Sequence, residues 1–102
     1  MAYYNISLEG GNVLRVGFGD PAQNDAICRD AAARLDEMFA AGELKGGDVI
    51  RVNGPASLPV AMVLAHKLAH LYQAVACFDP KLSKYVVSIA HGDKFAVGDL
   101  ID

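Results

Sequence analysis

Apolar and polar side chains alternate along residues 3–18. Two runs, roughly residues 3–8 and 12–18, place an apolar residue at every second position, which is the period of a strand with one buried face. The Gly10-Gly11 dipeptide between the two runs favours a tight turn. These residues are therefore predicted to form a β-hairpin.

The period changes to that of a helix after residue 20. The apolar positions at helical spacing are Ile27, Ala31, Leu35 and Met38. Asp20 is the predicted N-cap, with Pro21 at the first helical position and Gln23 at the capping-box spacing, and Gly42 ends the helix. The charged residues off the apolar stripe are interpreted as a solvated face: Arg29, Asp30, Asp36 and Glu37.

Short apolar runs then predict three more strands, at residues 49–53, 73–78 and 85–90. A second helix is predicted over residues 58–71, and a turn over residues 79–84. The element order β-β-α-β-α-β-β shows no repeats and no linker. It predicts an α+β fold of two layers, in which one sheet carries both helices on one face.

The second predicted helix is apolar on nearly every side. Between Pro59 and Leu71, the polar residues of the sequence are His66, Lys67 and His70. Such a helix must be buried on several sides, whereas one sheet covers only one of them. The simplest further cover is a second copy of the chain, so a homodimer with this helix near the interface is predicted.

Two histidines share one face of this helix. His66 and His70 are four residues apart, a spacing that can bind a metal ion. The segment lacks the glutamate of HExxH and a third nearby ligand, which argues against a zinc protease. His66 is interpreted as a buried histidine with satisfied hydrogen bonds. His70 lies in the last turn beside solvent, and both a functional and a structural role stay open for it.

Composition narrows the function classes. The chain has 102 residues, 53% of them hydrophobic and 21% charged, which is typical of one globular domain. Its net charge of -3 lacks the basic surplus of a general nucleic-acid binder. No membrane span or signal peptide is evident. Cys28 and Cys77 are interpreted as reduced thiols in the core, and a cytoplasmic location is expected.

The remaining polar residues are predicted to lie at two opposite edges of the sheet. Residues 53–57 link a strand to a helix N-terminus, where free amides and the helix dipole favour an anion, although such loops are also common without a ligand. Asp79 and Lys81 fall at the same edge, where Asp79-Pro80 can equally be a plain turn. His70 and His91 are predicted at the other edge, and imidazoles there suit acid-base work or an ion such as manganese.

Four motifs carry a family resemblance: NGPASLPVAMVLAHKLAH, FDPKLSKYVV, AHGD and GDLID. They resemble the small CRISPR-associated proteins of the Csx-type-three family, also called Crn-type-three ring nucleases. The likeness is close over residues 49–102 and lies mainly in length and element order over residues 1–48. It implies a ferredoxin-like homodimer that degrades cyclic tetra-adenylate, the second messenger of type III CRISPR complexes.

The resemblance also implies how the parts work together. In the family, one face of a dimer holds the ligand and the opposite face of another dimer supplies catalytic groups. Dimers therefore stack into tetramers or filaments on the ligand. The reaction implied is attack of a ribose 2′-hydroxyl on the neighbouring phosphodiester. A manganese-dependent RNA exonuclease activity has also been described for the family, and some relatives carry a fused AAA-type ATPase domain.

Carried over to this chain, the resemblance assigns catalytic roles to His70, Asp79 and His91. In an alternative that stays open, manganese supplies the charge stabilisation, with His70 and Asp79 as its ligands and the carboxylate coming from a facing dimer. The ligand-binding residues implied are Asn53, Gly54, Ala56, Ser57 and Lys81. Lys81 stands where relatives can carry arginine, so bidentate phosphate recognition is lost at that position.

Residues 1–102 are thus expected to form a single ring-nuclease domain. The alternative that they are a fragment of a longer chain fused to an AAA-type domain stays open. Two rival functions also stay open. A sensor would bind cyclic oligoadenylate without cutting it and would regulate a partner. A manganese-dependent RNA exonuclease would cut linear ends.

Overall fold

The computed structural model describes residues 2–10 and 12–102, and within them the chain forms a mixed sheet of six strands and two helices. The elements are β1 Tyr4–Glu9, β2 Val13–Phe18, α1 Asn24–Ala40, β3 Gly47–Asn53, α2 Leu58–Ala69, β4 Tyr72–Asp79, β5 Lys84–Ala90 and β6 Leu100–Ile101. The predicted α+β class with a single sheet is confirmed. The architecture is compatible with the ferredoxin-like fold that the resemblance implied.

The strands lie in the sheet in the same order as in the chain, from β1 to β6. β2, β3 and β4 are parallel, and an antiparallel strand pairs at each flank. Both parallel connections contain a helix, and right-handed crossovers place those helices on the same face. One core therefore joins both helices to β1–β4, as the sequence predicted.

That main core is built from the predicted periodicities. The apolar stripe of α1 is buried in full, with Met38 and Ala31 completely enclosed. α2 contributes Val60, Leu64 and Leu68 to the same core. The alternate strand residues that face these helices are Ile6, Leu14, Val16, Ile50, Val52 and Val75.

The first helix begins later than predicted. Gln23 is the N-cap and makes no side-chain cap hydrogen bond, so Asp20 and Pro21 precede the helix instead of starting it. The cause is tertiary: the amide of Gly19 donates to the carbonyl of Tyr3 at 2.9 Å, which ties this segment to the residue before β1. The predicted capping box at Asp20 is therefore wrong.

Two smaller differences concern the end of α2 and the last strand. α2 ends at Ala69, two residues before the predicted end. β6 was not predicted at all, because two residues show no periodicity. β1 and β2 pair antiparallel as expected, but Gly11 of the predicted Gly10-Gly11 turn lies outside the described residues.

The other face of the sheet is covered over β4 and β5 by the last segment of the chain. Ala74, Ala76 and Val87 are fully buried there against Phe95 and Ile101. The backbone of Val87 exchanges hydrogen bonds with Asp99 and Gly98, which holds the segment against β5. A second, smaller core results.

Two further predictions concern the surface. Cys28 is half-buried and Cys77 is exposed, so the interpretation of Cys77 as a core thiol is wrong. No helix in the described part of the chain is long and apolar enough to cross a bilayer.

Candidate functional site

The predicted functional residues lie at the two ends of the central strands. His70 is the C-cap of α2, two residues before β4 begins, and Asp79 is the last residue of β4. Eight strand residues at ~3.3 Å each separate the two ends by roughly 23 Å. The fold therefore places the 53–57 loop with Asp79 and Lys81 at one end and His70 at the other.

The 53–57 loop is held close to the neighbouring strand. Gly54 has φ 140°, and a Cβ atom there would lie 1.8 Å from the carbonyl oxygen of Val16. The Tyr4 hydroxyl donates to the carbonyl oxygen of Pro55 at 2.6 Å. Burial raises the pKa of Tyr4 to about 12, so this hydroxyl stays protonated and keeps its donor over the ordinary pH range. The loop is therefore rigidly positioned.

Ser57 is the N-cap of α2 and joins the two helices. Its Oγ accepts from the amide of Val60 at 3.4 Å and donates to Oδ1 of Asn24 at 2.7 Å. The amides of Ala56 and Ser57 donate to no protein group in the described part of the chain. They stand at the N-terminus of α2, where the helix dipole favours an anion.

Asp79 organises the turn after β4. Its Oδ1 accepts from the amides of Lys81 and Leu82 at 2.9 and 3.3 Å, which is an Asx-type turn. The side chain of Lys81 is exposed and forms no ion pair among the residues that the structure describes. A cation without an acidic partner thus flanks the loop.

Asn53 points to the opposite face of the sheet from α2. Its Nδ2 donates to the Tyr85 hydroxyl at 3.3 Å, and the Arg51 guanidinium lies over the Tyr85 ring at 5.9 Å from the centroid. Arg51 also donates from Nε to the carbonyl oxygen of Asp102 at 2.7 Å. Sequence reasoning missed Tyr85, because its partners are more than thirty residues away in the chain.

The other end of the sheet holds a histidine cleft. Its volume is about 500 Å³, and its lining residues are Met62, Ala65, His66, Ala69, His70, Ile89 and His91. The rings of His66 and His70 meet edge to face with centroids 4.7 Å apart. The amide of His91 donates to the carbonyl oxygen of Gln73 at 2.6 Å. The structure thus brings His70 and His91 together, as the strand directions predicted.

The interpretation of His66 as a buried residue is wrong. His66 is exposed, whereas Leu64 and Leu68 on either side of it in sequence are buried. Residues two apart on a helix point in nearly opposite directions, so His66 faces away from the core. It joins the cleft that His70 and His91 line.

The predicted manganese ligands do not meet within one chain, because His70 and Asp79 lie at opposite ends of β4. Over residues 2–10 and 12–102, no three His, Cys, Asp or Glu side chains are placed to hold a metal ion. The donor set of the single chain therefore does not fit a manganese site.

The family model described as CRISPR-associated protein (Cas_csx3) matches residues 32–102. The chain belongs to this CRISPR-associated Csx3 family. The match begins within α1 and includes every residue of the loop, the Asp79 turn and the histidine cleft. Comparisons with curated proteins and with solved structures found no match.

In this Csx3-family chain an apolar groove runs along α2 between the two ends. One part, of about 320 Å³, extends from Gly54 and Ala56 at the loop to Ala65. It shares Met62, Ala65 and Ile89 with the histidine cleft. The side chain of Met62 is 66% exposed, so one wall of the groove is apolar and accessible to solvent.

Proposed function

We propose that this Csx3-family protein is a ring nuclease that degrades cyclic tetra-adenylate in the cytoplasm and thereby switches off type III CRISPR signalling. The observation that carries the proposal is the three-histidine cleft at the end of the sheet opposite the 53–57 loop. Family membership supports the CRISPR context. The two ends supply the two things that phosphodiester cleavage needs, a phosphate clamp and acid-base groups.

The loop end is suited to hold phosphates of the ring. The amides of Ala56 and Ser57 are available at the N-terminus of α2, and Lys81 adds an exposed positive charge. Amides and helix dipole together favour an anion without a basic surface elsewhere. This agrees with a protein of net charge -3 that binds a small anionic ligand and not long RNA.

The histidine end is suited to the chemistry. His70 takes the proton from a ribose 2′-hydroxyl, and the 2′-oxygen forms a bond to phosphorus as the bond to the 5′-oxygen breaks. His91 in the same cleft is the general acid that donates a proton to the leaving 5′-oxygen. The products carry a 2′,3′-cyclic phosphate and a 5′-hydroxyl. Alignment of the attacking oxygen, phosphorus and leaving oxygen contributes several kcal/mol more.

Manganese enters the proposal only between chains. One chain keeps His70 and Asp79 at opposite ends of β4, so His70 of one dimer and Asp79 of another would be the residues to hold such an ion, which would supply charge stabilisation at the phosphate. No step of the mechanism above is derived through this ion.

The proposed assembly is a dimer that stacks on the ligand. Two helices, each about 10 Å across, cover roughly four strands at ~4.8 Å spacing. The sheet of the described residues has six strands, so the groove beside α2 is left uncovered. A second copy filling this groove gives a homodimer. Stacking such dimers sets the loop end of one against the histidine end of the next.

The direct test is incubation of the protein with cyclic tetra-adenylate, with and without manganese, followed by chromatography. We expect linear products ending in a 2′,3′-cyclic phosphate. A matched linear tetra-adenylate is expected to be cut more slowly, because it lacks the closed ring that two facing dimers enclose. Binding without cleavage in every condition would instead make the protein a sensor. Equal cleavage of both substrates would make it an exonuclease.

The stacked arrangement has its own test. Lys81→Ala and His70→Ala variants are each expected to cleave poorly, and mixing them should restore activity. In a random 1:1 mixture of dimers, about a quarter of the head-to-tail contacts pair an intact loop with intact histidines. Cleavage is therefore expected to recover to about a quarter of the wild-type rate at equal total protein. A mixture no more active than its components would refute a site shared between dimers.

A further inference from the structure

A second cleft lies on the other side of His70, between the C-terminal parts of α1 and α2. Its volume is about 270 Å³, and its lining residues are Leu35, Asp36, Phe39, Leu44, Lys67, His70 and Leu71. His70 is the residue that this cleft shares with the histidine cleft. A group bound here would therefore reach the same imidazole from the side opposite His66 and His91.

The walls of this cleft combine an apolar floor with one aromatic side chain. Leu35 and Leu44 are buried beneath it, and Phe39 is 56% exposed at its rim. Exposed aromatic rings offer a face on which a flat heterocycle can stack. At about 270 Å³ the cleft is smaller than the ~300–1,000 Å³ typical of drug-sized ligands. It matches a single nucleobase better than a whole nucleotide chain.

An ion pair supplies one donor and one acceptor in the same cleft. Nζ of Lys67 lies 2.7 Å from Oδ1 of Asp36, and the two side chains connect α2 to α1. An exposed ion pair of this kind contributes little to stability, about 0–1 kcal/mol in general. The charged groups can therefore turn towards a ligand at low cost to the fold.

We propose that this cleft binds the adenine base of the nucleotide whose ribose 2′-hydroxyl gives its proton to His70. The inference rests on the proposed function, since it takes adenylate as the substrate. Adenine presents an amine at N6 beside an acceptor at N7, whereas guanine presents acceptors at both O6 and N7. The Asp36 carboxylate accepts from the amine, Lys67 donates to the ring nitrogen, and Phe39 stacks on the base. The attached ribose then lies at His70, on the boundary of the two clefts.

The test uses adenosine and inosine, which differ in the N6 amine and carry no phosphate for the loop to bind. Each nucleoside is titrated into isotope-labelled protein, and amide chemical shifts are followed by NMR. We expect adenosine to shift residues 35–44 and 67–71 and to bind at least about ten-fold more tightly than inosine. Phe39→Ala is expected to weaken adenosine binding at least about five-fold, from lost stacking. Asp36→Asn is expected to bring the two affinities close together.

Two control variants remove comparable groups elsewhere. Asp48→Asn breaks an ion pair to Lys94 of the same 2.7 Å length, and Val97→Ala removes an apolar side chain that is 69% exposed. Both are expected to leave adenosine binding unchanged. Adenosine shifts that avoid the cleft, or inosine binding as tightly as adenosine, would overturn the adenine site.

The NMR titration measures nucleoside binding and does not depend on cleavage. The adenine site and the ring-nuclease function can therefore be refuted independently. Adenosine binding in the cleft by a protein that leaves cyclic tetra-adenylate intact would refute the nuclease function and keep the site. The opposite outcome is that Phe39→Ala cleaves the ring as fast as the wild type and adenosine shifts no amides in the cleft. It would refute the adenine site and leave the nuclease function standing.

Discussion

Replacing His70 by alanine is expected to reduce the rate of cyclic tetra-adenylate cleavage by about 10²–10⁴-fold, the usual contribution of a general acid-base residue. His70 lines both clefts and is exposed at the end of α2, so its removal deletes the imidazole that faces both of them. The measurement is the single-turnover rate at saturating protein, which reports chemistry without product release.

Folding is the first control for this prediction, because His70 is the C-cap of α2. The hydrogen bond that closes this helix end runs from the backbone amide of Leu71 to the carbonyl oxygen of Leu68 at 3.0 Å, so alanine at position 70 leaves it in place and thermal unfolding should change little. His66→Ala is the matched variant, since it removes the edge-to-face neighbour from the same helix face. We expect it to slow cleavage less than His70→Ala. Equal rates for wild type and His70→Ala would remove His70 from the mechanism.

Replacing Gly54 by alanine is expected to give the largest loss of stability among single substitutions in the loop. Its φ of 140° is a conformation that side chains rarely adopt, and the new Cβ would lie 1.8 Å from the carbonyl oxygen of Val16. Because that oxygen belongs to the backbone of β2, the loop must move away. We expect a loss of about 3–5 kcal/mol in the free energy of unfolding, at the upper end for point mutations.

Gly42→Ala is the control that separates the cost of a positive φ from the cost of the contact between the new Cβ atom and the backbone. Gly42 also has a positive φ, of 79°, but a Cβ there would meet nothing within 4 Å. It should cost only about 1–2 kcal/mol, the usual penalty for a left-handed residue. Urea unfolding of both variants measures the difference. If the two midpoints coincide, the close approach of the loop to β2 does not govern its stability.

Periodicity predicted the fold well where elements are long. The stripe from Ile27 to Met38 is buried as predicted, because helical spacing alone assigns those residues to one face. The predicted start of the same helix was wrong, although the sequence from Asp20 to Gln23 matches a capping box. The hydrogen bonds of Gly19 and Asp20 to residues near the N-terminus decide it, and such contacts cannot be read from a short stretch of sequence.

The candidate site was predictable in outline and not in detail. Chain direction alone placed the 53–57 loop and His70 at opposite ends, since a crossover helix reverses the direction of its strands. The sequence did not reveal that His66 faces away from the core. The reason is that α2 is apolar on several sides, so its pattern does not show which face is buried. The Lys67–Asp36 pair joins residues 31 apart, and nothing local in the sequence connects them.

The small second core has a consequence for local opening. Three fully buried residues hold the last segment against the sheet, compared with sixteen buried residues in the main core of the described chain. Segments with few buried contacts open at a smaller free energy than the whole domain and lose amide protection first. His91 is the first residue after β5, at the point where this segment leaves the sheet. We therefore expect the wall of the histidine cleft that His91 forms to open before the wall that α2 forms, because α2 packs on the main core.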